Sequence, residues 1–408
     1  MKTKLNLAVA AALLASASAA NAGIMIPAGD WTLDIGGVVN TFYTHTNFSG
    51  DTGAGTAALG LGNGAEDSRN NITTGLLPNY LSVSGKTRQN DLDVGFTISI
   101  NPGSSTSSSG LQSAQQENRQ AFLTFGDKSW GSIKLGKDLG IYASDAILND
   151  MTLLGVGGGA GSLSGNTTTL GRIGSGFMYA DWKSQVAYSS PNWSGFSFTV
   201  GVTQAWNATA TGAAVGSATS TGRGGSSPAF EGKASYEWAG DFGGKVWASA
   251  MTQKVEFTNG VPALNPSDRA TAWDLGATVN VAGFGLTGYY GQGDGIGQTF
   301  QLANGFDSLG KDRESDQWYV QGTYTIPGVG TKLGVSYGES TLDGNSGVAD
   351  TFKEIQDSMW TVGAYHPITK HLNLVAEYSS SKRELDNKLA ADLDGKAKTI
   401  SLGAILFF

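Results

Sequence analysis

Cysteine is absent from this 408-residue chain, which excludes disulfides, thiolate metal sites and cysteine nucleophiles. Proline is scarce, at 9 residues, and the 60 glycines follow no collagen-like period. After residue 22, no segment approaches the roughly 20 consecutive apolar residues that a membrane helix needs. Basic residues are also few, 26 against 34 acidic ones, and the resulting net charge of -8 disfavours nucleic-acid binding.

Residues 1–22 have the form of an export signal. A positively charged start is followed by an apolar core from Leu5 to Leu14 and by the small-x-small pattern Ala20-Asn21-Ala22, which signal peptidase cleaves. The apolar core is too short to span a bilayer as a helix. We therefore expect a cleaved signal peptide and a single mature domain over residues 23–408.

From Trp31 onward the chain repeats one unit, which consists of an alternating strand, a tight turn, a second alternating strand and a long polar loop. Alternation of apolar and polar residues predicts one apolar and one hydrated face. An even number of such strands is typical of single-chain bacterial barrels. The sequence therefore predicts an all-β fold, a 16-stranded antiparallel transmembrane β-barrel with short periplasmic turns and long extracellular loops. Its predicted strands are 31–43, 79–88, 91–100, 118–126, 130–137, 182–190, 194–205, 230–238, 243–254, 271–281, 283–291, 316–325, 331–339, 357–366, 371–381 and 398–408.

The last ten residues end on an aromatic side chain, with no polar tail. Ile400, Leu402 and Phe408 fall on one side of this strand, and Thr399 and Ser401 fall on the other. The exposed edge of such a strand invites aggregation in a soluble protein, whereas closure into a membrane barrel removes the edge. The final strand of a soluble β-sandwich is the alternative that this pattern leaves open.

The tryptophans give a second indication of a membrane. Nine of the ten lie at the ends of predicted strands, and only Trp247 lies in mid-strand. Tryptophan is amphipathic and prefers the level of the lipid headgroups, so two belts are expected. The predicted membrane-interface aromatics are Trp31, Trp130, Trp193 and Trp238 at the periplasmic ends, Trp182, Trp206, Trp273, Trp318 and Trp360 at the outer ends, and the terminal Phe408.

Four parts of the chain carry a resemblance to a known family: Arg119 to Gly126, the following Trp130 to Lys137, the segment Gly29 to Gly37 and the terminal Phe408. Here the chain resembles the general-diffusion porins of Gram-negative outer membranes, and the first two segments look like the paired strands before the constriction loop of that family. The resemblance implies a water-filled channel for passive diffusion of small hydrophilic solutes and ions. It also implies a homotrimer in the outer membrane, contacts with lipid and lipopolysaccharide, and no catalysis, cofactor or metal.

In that family the third outer loop folds into the barrel, where its acidic residues face basic residues of the wall. The corresponding loop here is about 138–181, and the resemblance implies that Asp145 and Asp150 are the acidic residues of the pore constriction. It also implies that Lys134 and Lys137 are basic residues of the pore wall.

The chain departs from the family pattern in two places. Tyr80 stands where the family often has an arginine, and the almost continuous glycine run from Gly155 to Gly161 replaces the Pro-Glu-Phe-Gly-Gly segment of the constriction loop. These departures bear on ion selectivity more than on the fold.

Three other functions are compatible with part of this sequence pattern. A substrate-specific porin would carry a track of inward aromatic residues, for which Tyr289, Tyr319 and Tyr365 are the candidates. A surface receptor or adhesin would bind its partner through the long loops. A barrel hydrolase needs a histidine base held beside a serine, whereas two of the three histidines, His366 and His371, flank a predicted periplasmic turn.

Overall fold

The computed structural model describes residues 23–51, 67–104, 116–158, 168–206, 209–210, 227–256, 267–347 and 350–408. The expected export signal therefore lies outside the described residues. Within these ranges the chain forms twenty strands, which are β1 (Ile24–Ala28), β2 (Trp31–Gly50), β3 (Ser68–Thr73), β4 (Tyr80–Gln89), β5 (Leu92–Pro102), β6 (Gln116–Asp127), β7 (Gly131–Leu139), β8 (Trp182–Ser189), β9 (Phe196–Thr203), β10 (Thr209–Ala210), β11 (Ala229–Trp238), β12 (Phe242–Glu256), β13 (Ser267–Val281), β14 (Phe284–Asp294), β15 (Ala303–Phe306), β16 (Glu314–Thr325), β17 (Lys332–Asp343), β18 (Phe352–Pro367), β19 (Leu372–Asn387) and β20 (Leu393–Phe407).

Sixteen of these strands form one closed antiparallel barrel, as the sequence predicted. The ring closes at β2, which pairs with β4 through residues 32–38 and with β20 through residues 38–50. The short strands β1 and β3 pair with the two ends of β2, and β10 and β15 form a separate parallel pair. Closure gives the terminal strand a partner on both sides, which removes the edge that an open sheet would expose.

The burial pattern of the strands shows a barrel with an apolar exterior. On β13, Trp273 and Leu275 point away from the barrel and are 42% and 49% exposed, whereas Asp274 points inward and is 1% exposed. Side chains of a strand alternate between its two faces, so an apolar outer face and a polar inner face follow from the same alternation. This arrangement suits lipid outside the barrel and water inside it.

The two ends of the barrel differ in their connections. Asn90 and Asp91 alone join β4 to β5, and both adopt positive φ, 50° and 61°, as a two-residue hairpin turn requires. We call the end of the barrel that carries this turn the short-turn end, and we call the opposite end the long-loop end. In outer-membrane barrels the short turns face the periplasm.

Most strands extend further than the sequence predicts, chiefly toward the long-loop end. For example, β18 begins at Phe352 and β19 runs to Asn387, whereas the predicted strands began at 357 and ended at 381. Above the level of the membrane both faces of a strand are wet, so the alternation that identifies a strand disappears there although the hydrogen-bonded ladder continues.

The chain between β7 and β8 forms the helix α1 (Ser144–Leu148) and a 3-10 helix (Met151–Leu154). Because β7 runs to Leu139, this connection begins at residue 140 rather than at 138. Among the described residues, no helix combines the length and the apolarity that a transmembrane helix requires.

Candidate channel constriction

The described parts of the connection between β7 and β8, residues 140–158 and 168–181, lie inside the barrel, and we call them the inward loop. Its side chains pack against inner-face residues of distant strands. Ile147 and Phe177 of the loop form one buried cluster with Trp247 on β12 and Tyr319 on β16. In the glycine run at 155–161, residues 155–158 are described and residues 159–161 lie outside the described residues.

Asp145 lies at the start of α1 and points to the barrel wall beneath the loop. Its carboxylate oxygens lie 2.7 Å from Nζ of Lys245 and 3.2 Å from Nζ of Lys233, on β12 and β11. Burial opposes ionisation of this carboxyl group, but the two lysines outweigh the effect and hold the pKa of Asp145 below its ordinary value. The acidic residue is therefore compensated by wall cations at close range.

Asp150 caps the 3-10 helix. Its side chain accepts hydrogen bonds from the backbone N–H of Thr152 at 2.9 Å and from the Thr152 hydroxyl at 2.8 Å, which is the usual role of aspartate at a helix N-terminus. Asp150 is 3% exposed. Burial raises its pKa, although Arg172 and the bonds from Thr152 oppose this shift.

Lys134 and Lys137 lie on opposite faces of β7. Leu135 pairs with the outward-pointing Val186, which is 55% exposed, so Lys134 points inward and Lys137 points outward. The Lys134 amine forms an ion pair with Asp138, whereas the Lys137 amine donates to the Asn118 carbonyl at 2.8 Å. The resemblance implies a pore-wall role for both lysines. Because Lys137 points outward, we propose this role below for Lys134 alone.

The three inward tyrosines lie beneath the inward loop. Tyr289, Tyr319 and Tyr365 are 4%, 1% and 2% exposed. The Tyr319 hydroxyl donates to the Ala146 carbonyl of the loop at 2.7 Å. These rings support the loop and do not form a track along an open bore.

The wall formed by β4 to β7 remains open to the bore. A cavity of about 610 Å³ lies on its inner face near the short-turn end. Arg88, in this cavity, is paired with Asp93 at 2.8 Å and with Asp127 at 2.9 Å. Lys86 also lines the cavity, is exposed, and forms no hydrogen bond or ion pair with another described residue. The inner wall is therefore buried beneath the loop on one side and hydrated on the other.

Sequence reasoning missed Lys86 and two inward glutamates, Glu231 and Glu377, that contact the inward loop. Glu377 falls on the polar side of an alternating strand, and Lys86 lies within a strand that the sequence predicts. A charged residue within a barrel strand was the available signal, because a charge is destabilising on the lipid face, most of all near the bilayer midplane.

The outward aromatic residues lie in pairs on neighbouring strands. Within β13, β16 and β18, several residues from the long-loop end, the ring of Trp273 lies 5.6 Å from Tyr290, that of Trp318 5.6 Å from Tyr337, and that of Trp360 5.2 Å from Tyr378. At the short-turn end the exposed or partly exposed rings are Trp31, Trp130, Trp193 and Trp238, together with the terminal Phe408.

Two tryptophans of the predicted outer belt have other surroundings. Trp182 lies against the Arg119 guanidinium at 5.6 Å, and Trp206 packs on a buried cluster that contains Val255 and Phe306. Trp247, the mid-strand tryptophan, points inward and is buried beneath the inward loop.

A metal ion needs several converging ligands. In the part of the chain that the structure describes, no three histidine or acidic side chains come together in a way that could hold one.

The barrel resembles solved outer-membrane channels. The outer membrane channel DcaP of Acinetobacter baumannii aligns with a TM-score of 0.65 at 18% identity, over 95% of this chain and 100% of that chain. An anion-selective porin from Comamonas acidovorans aligns with a TM-score of 0.61 at 17% identity, over 93% and 100%. The trimer form of OmpT from Vibrio cholerae aligns with a TM-score of 0.55 at 13% identity, over 93% and 99%. At these identities the likeness shows the fold alone.

Sequence comparison identifies the family. A search against curated proteins found no match, but the model of the Gram-negative porin family matches residues 8–386, which is nearly the whole chain. With the closed sixteen-stranded barrel, this match establishes that the chain belongs to the Gram-negative porin family and is a multi-pass β-barrel of the outer membrane.

Proposed function

We propose that this porin passes small hydrophilic solutes and ions by passive diffusion, and that the path runs between the inward loop and the wall of β4 to β7. The observation that carries the proposal is the contrast between the two halves of the inner wall. Inner-face residues of β11 to β19, such as Gln317 and Asp357, are 4% and 0% exposed because the loop covers them, whereas Lys86 and Arg88 on β4 are exposed.

The proposed selection of solutes rests on the width of this gap and on the charges along it, as in other channels. Lys134 faces the gap from β7 with its charge partly balanced by Asp138. Asp145 contributes through its pairs with the wall lysines, and Asp150 acts mainly as a cap that shapes the loop.

Single-channel recording in a planar bilayer tests the proposal. Purified, refolded protein should produce large conductance steps that rise in proportion to salt concentration. Absence of any conductance would contradict diffusion and favour a receptor or adhesin that binds through its loops. A current that one sugar blocks at low concentration would favour a substrate-specific porin instead.

The assembly and its surroundings are also part of the proposal. We propose a homotrimer, which the trimer form of the Vibrio cholerae OmpT supports by similarity of fold, with lipid and lipopolysaccharide around its outer faces. We further propose removal of residues 1–22 on export and a mature chain of residues 23–408, from the small-x-small pattern before Gly23. Mass spectrometry of the native complex would give both the subunit number and the mature N-terminus.

A further inference from the structure

Two glutamates of the barrel wall hold the first part of the inward loop in the same way. Oε2 of Glu231, on β11, accepts hydrogen bonds from the backbone N–H groups of Ile141 and Tyr142 at 2.8 and 2.9 Å. Oε2 of Glu377, on β19, accepts from the N–H groups of Val156 and Gly157 at 2.7 and 2.8 Å. One side-chain oxygen thus accepts from two consecutive amides at each place.

The two contacts lie at the two ends of the segment that crosses the barrel. The loop leaves β7 at Ile141 and reaches Glu377, several strands away around the ring, at Val156. Between these points two backbone amides of the loop donate to neutral side chains of the wall, the Ser249 hydroxyl at 3.1 Å and the Gln321 side-chain oxygen at 2.8 Å.

A glycine makes the second contact possible. A Cβ atom at Gly155 would lie 2.1 Å from Oε1 of Glu377, a separation that no side chain can adopt. The start of the glycine run therefore has a physical reason, because it lets the carboxylate approach the loop backbone closely.

The two glutamates differ in how their charge is compensated. Oε1 of Glu231 accepts from the Lys183 amine at 2.5 Å, and neither side chain of this pair is exposed. Oε1 of Glu377 accepts from the Tyr365 hydroxyl at 2.6 Å, and no lysine or arginine among the described residues lies within ion-pair distance of it. The charges of Lys332 and Arg172 act on Glu377 from beyond ion-pair distance. A neutral side chain at Glu377 therefore breaks no ion pair among the described residues, whereas at Glu231 it would leave Lys183 buried without its counter-charge.

We propose that Glu231 and Glu377 are the positioning residues that hold the inward loop across the bore, and that Glu377 does so through hydrogen bonds and without an ion pair in the described part of the chain. Their effect on conductance rests on the proposed channel function. Their effect on the position of the loop does not, so the two can be tested separately.

The first test uses Glu377→Ala and Glu377→Gln, with Ser379→Ala as the control on the same face of β19. In planar bilayers the alanine variant should change single-channel conductance by roughly a factor of two or more, because the narrowest section sets the current. The glutamine variant, which keeps the acceptor oxygen, should match the wild type. Equal conductance for the wild type and Glu377→Ala would overturn the proposal.

The second test measures the loop directly and needs no channel activity. The chain has no cysteine, so Val156→Cys, at a position that is 0% exposed, introduces one thiol. A water-soluble maleimide should label it slowly in the Val156→Cys protein and roughly tenfold or more faster once Glu377→Ala is added, because a buried group reacts only after local opening. Unchanged labelling would refute the anchoring role even if the protein proved not to conduct.

The third test uses the difference between Glu231, which forms an ion pair with Lys183, and Glu377, which forms none with a described residue. Glu231→Gln should lower the yield of folded barrel, since it leaves Lys183 as an uncompensated buried charge. The double variant Lys183→Met with Glu231→Gln should restore folding and keep an Ile141→Cys thiol protected from maleimide. A fully folded Glu231→Gln single variant, with the melting temperature of the wild type, would contradict the assigned difference between the two anchors.

Discussion

Asp145 of the inward loop lies 2.7 Å from the amine of Lys245 on β12, and the two side chains are 4% and 11% exposed. The acidic residue that the family pattern places in the constriction is therefore bonded to the wall on which the loop rests. Its charge acts on the bore together with those of Lys233, Lys245 and Glu237, which lies 3.1 Å from the Lys245 amine, as a group with no net charge.

Replacing Asp145 by Asn should shift the selectivity of the channel toward anions. Among the described residues, the substitution leaves Lys233 without an ion pair and Lys245 with Glu237 alone, so the group gains one net positive charge. One unit charge at about 4 Å in water is worth about 1 kcal/mol, or roughly a fivefold change in permeability ratio. The reversal potential across a KCl gradient measures the change. The double variant Asp145→Asn with Lys245→Met should return toward the wild-type value, and an unchanged potential in the single variant would remove Asp145 from the constriction.

Removing the charge of Lys86 should change the ion selectivity in the opposite direction, toward cations. Its amine is the cation of the 610 Å³ cavity without a partner among the described residues, whereas the neighbouring Arg88 is paired with two carboxylates. Lys86→Gln should therefore shift the reversal potential toward cations, because it removes a positive charge from the hydrated wall. Lys137→Gln, on the outward face of β7, is the matched control and should leave the potential unchanged. An equal shift in both variants would show that general surface charge, and not the cavity, is responsible.

Asp150 should make the protein more stable as the pH falls. Burial raises the pKa of this carboxyl group in the folded state, so the folded protein binds the proton at a higher pH than the unfolded chain does, and stability increases as the pH falls through the folded pKa. Asp150→Asn keeps an acceptor for the Thr152 N–H and removes the titration. Thermal unfolding in detergent micelles between about pH 4 and pH 7 should show a flatter pH dependence for this variant.

Asp145, in the same loop, should give the opposite pH dependence of stability from Asp150. Its pKa lies below the ordinary value because of Lys233 and Lys245, although burial opposes this. Its stabilising effect is present at neutral pH and is lost as the pH falls below about 4 through the folded pKa. A loss of stability already at pH 6 that Asp145→Asn abolishes would contradict this assignment.

Closure of the barrel should be sensitive to Gly37. The N–H of Gly37 donates to the Phe408 carbonyl at 2.8 Å, and a Cβ at this position would lie 2.3 Å from the Tyr80 carbonyl oxygen and 2.7 Å from Cζ of Phe408. Gly37→Ala and deletion of Phe408 should both lower the fraction of folded barrel, measured by the mobility shift between heated and unheated samples in gels. Gly288→Ala, where a Cβ would meet no atom within 4 Å, should fold normally.

An arginine on the lipid-facing side should destabilise the barrel in a bilayer. Val335 lies on the outer face of β17, is 55% exposed, and is two residues from Tyr337 of the outer aromatic pairs. Val335→Arg should cost about 2–4 kcal/mol if it lies near the bilayer midplane, measured by reversible urea unfolding in liposomes. Val335→Leu is the matched control, and equal stability of the two variants would argue that this face contacts something other than lipid.

The strand pattern and the fold class follow from the sequence because they depend on local rules. An alternation of apolar and polar residues assigns each side chain to a face without any knowledge of its neighbours. For that reason Trp273, Trp318 and Trp360 could be assigned to the apolar face, and the sixteen strands could be counted. The upper ends of β18 and β19 were missed because no lipid contacts them, so no alternation marks them.

The tertiary structure alone decided which residues act on the bore. The sequence places Asp145, Lys233 and Lys245 far apart along the chain, and only the folding of the loop against β11 and β12 brings them within ion-pair distance. The same folding gives Glu377 its two loop amides. Periodicity determines the face on which a side chain lies, but charges and hydrogen bonds act at a few ångströms, and those distances depend on the path of a loop that has no period of its own.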